Sequence, residues 1–334
     1  MHKQVAYSPL PGVTASLIRS VGDAIAPRGV GAGRLCVVNY HRILTQPDPL
    51  LESEPSVDTF RWQVALLKHC FNVLPLSEAV RMLGNARMPA RAVAITFDDG
   101  YRSTHDLALP ILREFDVPAT VFVTTRHIED DSSMWNDVIL EAVRRLPDAP
   151  IDLSSIGLGI YPMGSAQERK ATANALIERC KYLPPGARAT LTGTLQTLAR
   201  ADLRQDLMLT ADMVRTLSRN QVDIGGHTVT HPILTSIDDD LARAEIVDNK
   251  QHLEAITGKP VTLFAYPNGK RGTDFDQRHV QMVRDAGYQA AFTTASGAAT
   301  RANNTFELPR GRPWDRSRLM FAGRLLSWLN GRNS

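Results

Sequence analysis

Three cysteines among 334 residues are too few and too scattered to organise this chain. Cys36, Cys70 and Cys180 form no CxxC pair, which argues against a thiolate zinc site, and an odd, widely spaced set gives no disulfide framework. Buried free thiols are the expected state, compatible with a reducing compartment. Long apolar runs are lacking as well. No stretch approaches the length of a membrane-spanning helix. Residues 1–32 hold no apolar run of signal-peptide length, and Pro9 and Pro11 interrupt their start. On that reading the chain is expected in the cytoplasm. Charge surplus is slight, +3 with a pI near 8.8, and no basic stripe is interleaved with aromatics, so nucleic acid is not an expected partner. What is left, 43% hydrophobic and 22% charged residues, is an ordinary globular composition. The length suits one large α/β domain carrying an insertion, or two domains.

What is there is a series of apolar, β-branched runs that end on polar residues. Residues 35–39 run into Tyr40-His41-Arg42, and 92–97 into Asp98-Asp99-Gly100. Residues 222–225 lead to Gly226-His227-Thr228-Val229-Thr230-His231-Pro232, and 261–265 to Tyr266-Pro267-Asn268-Gly269. Residues 119–123, 289–293 and 306–310 read as further strands. Helical patterns lie between them: one capped by Asp58 or Thr59, one from Ser77 to Leu83, one over 104–114 interrupted by Pro110, and later ones over 212–219, 239–256 and 277–286. The 239–256 pattern stops at Gly258 with Pro260 just beyond. Such alternation argues for a parallel sheet or a barrel.

The rhythm stops from about 125 to 211, where three helical segments are separated by proline- and glycine-containing loops. This reads as a helical insertion, too long for a plain loop. Residues 1–33 read as a leader with one short helix, 34–313 as the main domain, and 314–334 as a basic amphipathic helix. Its stretch 316–330 could lie on an anionic membrane, although docking on its own domain is the commoner outcome.

Two clusters carry chemistry. An unpaired carboxylate inside a core costs several kcal/mol or more, so Asp98 and Asp99 belong where their strand leaves the interior, with Gly100 turning the backbone. In parallel sheets that mouth is where ligands bind. Taken alone, an acidic turn after a strand reads equally well. His227 and His231, at i and i+4, sit close enough to share a metal. With one carboxylate they make a two-nitrogen, one-oxygen set, the ligand count of a catalytic zinc with open positions. HxxxH alone is as well read as two ordinary loop histidines; joined to the Asp-Asp pair, the metal reading is favoured. The same set also describes a non-haem iron triad, against which the second aspartate and the alternating pattern stand. Tyr101, Trp135 and Trp314 could stack on the rings of a ligand, but isolated aromatics are more often core.

Thr96-Phe97-Asp98-Asp99-Gly100 and His227-Thr228-Val229-Thr230-His231 resemble the first two motifs of the polysaccharide deacetylases, the NodB-homology enzymes of carbohydrate esterase family 4. Phe264-Ala265-Tyr266-Pro267-Asn268-Gly269 is similar to the third. The resemblance runs from about 35 to 313 in strand order, with the insertion outside it. It implies a distorted (β/α)7 TIM-like barrel with a helical insertion. It also implies a metal-dependent hydrolase that removes N-acetyl groups from an amino sugar of a polysaccharide or glycolipid precursor. Asp99, His227 and His231 would hold a divalent metal, Zn2+ first; Asp98 would be the general base; Tyr266 and Asn268 would serve the oxyanion and substrate. Three departures stand out. The family's third motif carries an arginine where this chain has Ala265 and a tyrosine where it has Asn268, and Leu308-Pro309-Arg310 replaces a leucine–histidine motif. Exopolysaccharide-modifying members place a histidine after an N-terminal strand, as in Tyr40-His41, so His41 is the expected general acid. Arg310 either replaces the missing cation beside Asp98 or makes a solvent-facing salt bridge. The alternatives are hydrolysis of another acyl group, such as formyl, and a glycan-binding relative without catalysis. The expected location is cytoplasmic, with peripheral contact to the inner membrane through 316–330.

Overall fold

The computed structural model describes residues 12–26, 33–130, 133–199, 206–312 and 315–332. The apolar runs form a curled, mainly parallel sheet. The strands Arg34–Tyr40, Ala92–Phe97, Ala119–Val123, Val222–Gly226, Leu263–Ala265 and Ala290–Phe292 lie side by side in that order. Single parallel bridges, Phe292 to Leu308 and Val38 to Gly311, then join the last strand back to the first. The 308–311 segment is thus a seventh stave, and the curled sheet is the distorted (β/α)7 barrel that the family resemblance implies. Only bridges remain of the expected 306–310 strand. A short strand, Ala298–Thr300, not expected from the sequence, pairs antiparallel with Arg34–Cys36 outside this ring.

Alternation along the staves decides what faces inward. Leu35, Val37, Ala92, Ala94, Leu263, Ala265, Phe292 and Leu308 belong to one apolar cluster that fills the barrel. Cys36, Val38, Val93, Ile95, Phe264 and Tyr266 belong to another, between the sheet and its helices. Continued by one or two steps, the inward series reaches Asn39, Thr96, Asp98 and Arg310, all buried. These polar residues lie inside the barrel at the end where every parallel strand stops, which places the site there.

The helices mostly follow the pattern, with local corrections. Ser56 caps Val57–Cys70, accepting from the Thr59 amide, so neither Asp58 nor Thr59 is the cap. The 104–114 helix is interrupted at Pro110 as expected: a π-type turn at Thr104–Ala108 gives way there to the α-helix Leu109–Glu114. Asp239–Thr257 begins on Asp238 and ends on Gly258 at φ 66°.

Between Thr125 and Ala211 the chain forms helices Trp135–Arg145, Ala166–Lys181 and Pro185–Ala199 around their own apolar cluster, which includes Ile139, Val143, Leu176, Cys180 and Leu195. All three cysteines are buried and unpaired. The helix Gly12–Ile25 is seen, while 1–11 and 27–32 of the expected leader lie outside the described residues, as does Trp314. Arg318–Leu329 docks on the barrel: Phe321, Leu325, Trp328 and Leu329 are buried, with the Phe321 ring edge-on to Trp62 at 5.8 Å. The apolar face expected to choose between membrane and domain is spent on the chain's own core, although Leu319 and Met320 stay exposed. Among the described residues no helix is long and apolar enough to cross a membrane.

Candidate active site

The two neighbouring aspartates enter different surroundings. Asp98 continues the inward series of its strand and meets Arg310 in a fork: Nη1 donates to Oδ1 at 2.7 Å and Nη2 to Oδ2 at 2.9 Å. Asn39 Nδ2 donates to Oδ2 at 2.9 Å. Arg310 is 1% exposed. Its Nε donates to the Thr293 carbonyl at 3.2 Å, and its guanidinium lies 5.2 Å from the Phe122 ring centre. A solvent-facing salt bridge is therefore not what this arginine makes. Burial pushes the Asp98 carboxyl upward, but Arg310, with His227 and His41, outweighs it and holds the pKa at about 2.

Asp99 turns out of the strand at φ 72°. Its Oδ1 lies 3.3 Å from His227 Nε2 and 3.4 Å from His231 Nε2, and one donor atom from each of the three residues falls within 4.8 Å of the others. No lysine or arginine pairs with it among the described residues. His227 and His231 stand in a loop after the Val222–Gly226 strand, not on a helical turn, with ring centres 4.9 Å apart. His227 Nδ1 lies 2.7 Å from the Ala265 carbonyl; donating there leaves the Nε2 lone pair aimed at the site. Burial raises and the two imidazoles lower the Asp99 carboxyl, which ends well below the carboxylate range. Burial, reinforced by His227, pushes His231 down to about 3 despite Asp99. Burial lowers His227, but its hydrogen bond with Asp99 and the charge of Asp98 outweigh this and raise it, so the carboxylate has at most one charged imidazole and no fixed cation beside it. That donor set and that deficit fit a divalent cation.

The ligand loop is held under strain. Asp99, Thr228, His231 and Asn268 all have left-handed backbones, with φ of 72°, 65°, 57° and 60°. This is costly for any non-glycine residue and most so for the β-branched Thr228. Two residues that the sequence reading missed pin it. Glu245 accepts from the amides of Val229 and Thr230, each at 2.8 Å. Asn249 accepts from the His227 amide at 3.1 Å and donates to the Thr228 carbonyl at 2.6 Å. Both project from one face of Asp239–Thr257, among buried Ala242, Ile246 and Leu253. A polar i, i+4 pair on an otherwise apolar helix face was the available signal. Gly226 lets this clamp close: a Cβ there would stand 2.2 Å from Tyr288 Oη and 2.7 Å from Asn249 Oδ1.

Around both aspartates lies a cavity of about 600 Å³. His41 and Asn268 line it, as expected from the sequence, and so do Trp135 and Lys181 of the insertion and Arg324 and Trp328 of the C-terminal helix. The insertion is therefore a wall of the site, and Trp135 is not simply a core aromatic. Tyr101 is core: it is buried, with the Arg42 guanidinium 4.2 Å from its ring centre. Burial, then Arg312, depresses the His41 pKa, and Arg312 Nη2 stands 2.8 Å from His41 Nε2. Tyr266 does not reach the cavity. Its ring stacks on Phe275 at 3.8 Å, its hydroxyl donates to the Phe306 carbonyl and its amide to the Phe292 carbonyl. Strand parity explains why: Tyr266 shares the outward face with Phe264.

YxkH of Bacillus subtilis (strain 168), named for polysaccharide deacetylation, is 20% identical over 280 residues, 84% of this chain and 71% of its own length. The poly-β-1,6-N-acetyl-D-glucosamine N-deacetylase of Staphylococcus epidermidis is 32% identical over 105 residues, which span 27% of this chain and only 36% of that enzyme. The fold is similar to the Streptococcus pyogenes deacetylase PplD solved in complex with acetate, with TM-score 0.58 and 22% identity over 89% of this chain and 98% of that one. IcaB from Ammonifex degensii is similar at TM-score 0.54 and 17% identity, covering 89% and 97%. The family profile described as polysaccharide deacetylase matches residues 85–291, more than half of the sequence, and the chain belongs to that family.

Proposed function

We propose that this polysaccharide deacetylase is a metal-dependent hydrolase that removes N-acetyl groups from an amino sugar of a glycan. The observation that carries it is the division of labour between adjacent carboxylates: Asp98 is matched by a fixed guanidinium, while Asp99 faces two imidazoles and no fixed cation. Asp99, His227 and His231 would hold the ion, Zn2+ by the two-nitrogen, one-oxygen set. Such an ion, when bound, would lower the pKa of a water toward neutrality and supply positive charge for the acetamide oxygen.

The remaining work falls to the chain. Asp98 is the base. Arg310 and Asn39 fix its plane and keep it ionised at any working pH, so it is always ready but only weakly basic, and it suits a water already made acidic. Arg310 thereby supplies the cation that Ala265 cannot. The carbonyl of Ala265 serves instead to orient His227. A backbone N–H at Asn268 assists the oxyanion. His41 delivers the proton to the departing amine. Because burial and Arg312 keep it neutral at rest, that proton must be taken up within the catalytic cycle. Trp135 offers a ring to the sugar face.

The test is acetate release from N-acetylglucosamine oligomers, with and without chelator, followed by readdition of Zn2+. Chelation should abolish release and Zn2+ restore it. Unchanged release under chelation would remove the metal from the account. Sugar binding with no acetate from a wide panel would favour a binding protein.

A further inference from the structure

The charges that line the cavity do not cancel. Asp98 is matched by Arg310, and Asp99 by the imidazoles and the cation they would hold. Of the remaining basic groups, Arg324 is engaged by Asp315, Nε to Oδ2 at 2.6 Å and Nη2 to Oδ1 at 2.9 Å. Lys181 stands 3.7 Å from Asp274. Arg312 has no carboxylate partner among the described residues. Its side-chain contact is with His41, an imidazole that it holds in the neutral form.

The backbone that carries this guanidinium is fixed, because the residue before it is part of the barrel wall. Gly311 donates to the Val37 carbonyl and accepts from the Asn39 amide, both at 2.9 Å. Arg312 is only half-buried and lines the same cavity as Asp98, Asp99 and His41. A guanidinium has five N–H donors in a planar fork, and one uncharged ring nitrogen satisfies few of them. Such a fork matches a carboxylate or phosphate in bidentate fashion.

We infer that the substrate is an acidic glycan: its amino-sugar unit or the neighbouring unit carries a carboxylate or phosphate, which Arg312 grips. This rests on the deacetylase reading and narrows it, since a neutral poly-N-acetylglucosamine gives Arg312 nothing to bind.

The experiment measures acetate release by the Zn2+-loaded full chain from three length-matched oligomers: neutral N-acetylglucosamine, N-acetylglucosamine alternating with glucuronate, and N-acetylglucosamine ending in a 1-phosphate. At least one acidic oligomer should show kcat/KM tenfold or more above the neutral one. Whichever does identifies the carboxylate or the phosphate as the anion. Whatever common change in kcat the lost contact with His41 brings to all three oligomers, R312Q should erase the preference by raising KM for the acidic oligomer more than for the neutral one, and R312K should restore part of it. Thermal melts establish that both variants fold. Equal kcat/KM for all three oligomers in the wild type, or an equal loss on all three in R312Q, overturns the inference and leaves the deacetylase reading standing. Absence of acetate from every oligomer overturns both.

Discussion

Asp98 and Asp99 are adjacent in the chain, both buried and both ionised, yet they are prepared for opposite tasks. Asp98 has its counter-charge built in, since Arg310 and Asn39 hold both of its oxygens. Asp99 has only imidazoles, aimed so that their lone pairs and one carboxylate oxygen converge. A carboxylate with a permanent partner is fixed in place and keeps its charge; one without is left for a cation from outside. Strand geometry makes the distinction. Asp98 is the last inward residue of a barrel stave, whereas Asp99 takes the left-handed turn that swings it toward the histidine loop. The contrast shows that adjacency in sequence says little about electrostatic role, while parity along a strand says much.

The largest expected effect breaks the first half of this comparison. Asp98→Asn should lower kcat by about 10²- to 10⁴-fold, the range for a lost general base, while Zn2+ affinity changes little. Acetate-release kinetics beside a metal titration separate the two readouts. Arg310→Met attacks the same half by removing the built-in charge. Stranding Asp98 in the barrel should cost about 3–5 kcal/mol of stability, read as a lowered urea midpoint, and turnover should fall with it.

Asn249→Ala tests the other half, because it loosens the loop that presents both imidazoles without touching a ligand. Loss of such an outer partner weakens metal binding by about 10- to 100-fold, visible in competition with a chromogenic chelator, and kcat at saturating metal should fall much less. The smallest effect is a pH dependence of stability, and it sets Asp98 against a third buried acid. Asp98 sits below its unfolded value, so its contribution is present above about pH 4 and is lost as pH falls toward about 2. Asp137 has the opposite sign. Burial raises it to about 6, only partly offset by Arg42, 2.7 Å away, so stability is lost as pH rises from about 4 through about 6. Urea midpoints between pH 4 and 6 should therefore fall less with rising pH in Asp137→Asn than in the wild type.

Much of this was legible because apolar runs that stop at charged residues mark the mouths of parallel strands. Asp98, Asp99, His227 and His231 could be read that way and were matched by motif. Arg310 could be named but not placed. It lies 212 residues from Asp98, and only closure of the ring by the 308–311 bridges brings the two together. Tyr266 was misjudged for a simpler reason: the alternation that sends Ala265 inward sends Tyr266 outward, and a motif resemblance does not override that geometry. Glu245 and Asn249 escaped notice because their helix reads as amphipathic without them. Their worth depends on a loop that has no regular structure.

Metal stoichiometry in two single variants tests the central claim most directly. Purified wild type, Asp98→Asn and Asp99→Asn would each be stripped, titrated with Zn2+ by calorimetry and assayed for acetate release. The account predicts one tight site in wild type and in Asp98→Asn, a lost or severely weakened site in Asp99→Asn, and turnover in wild type alone. Tight binding and turnover that survive in Asp99→Asn would contradict it.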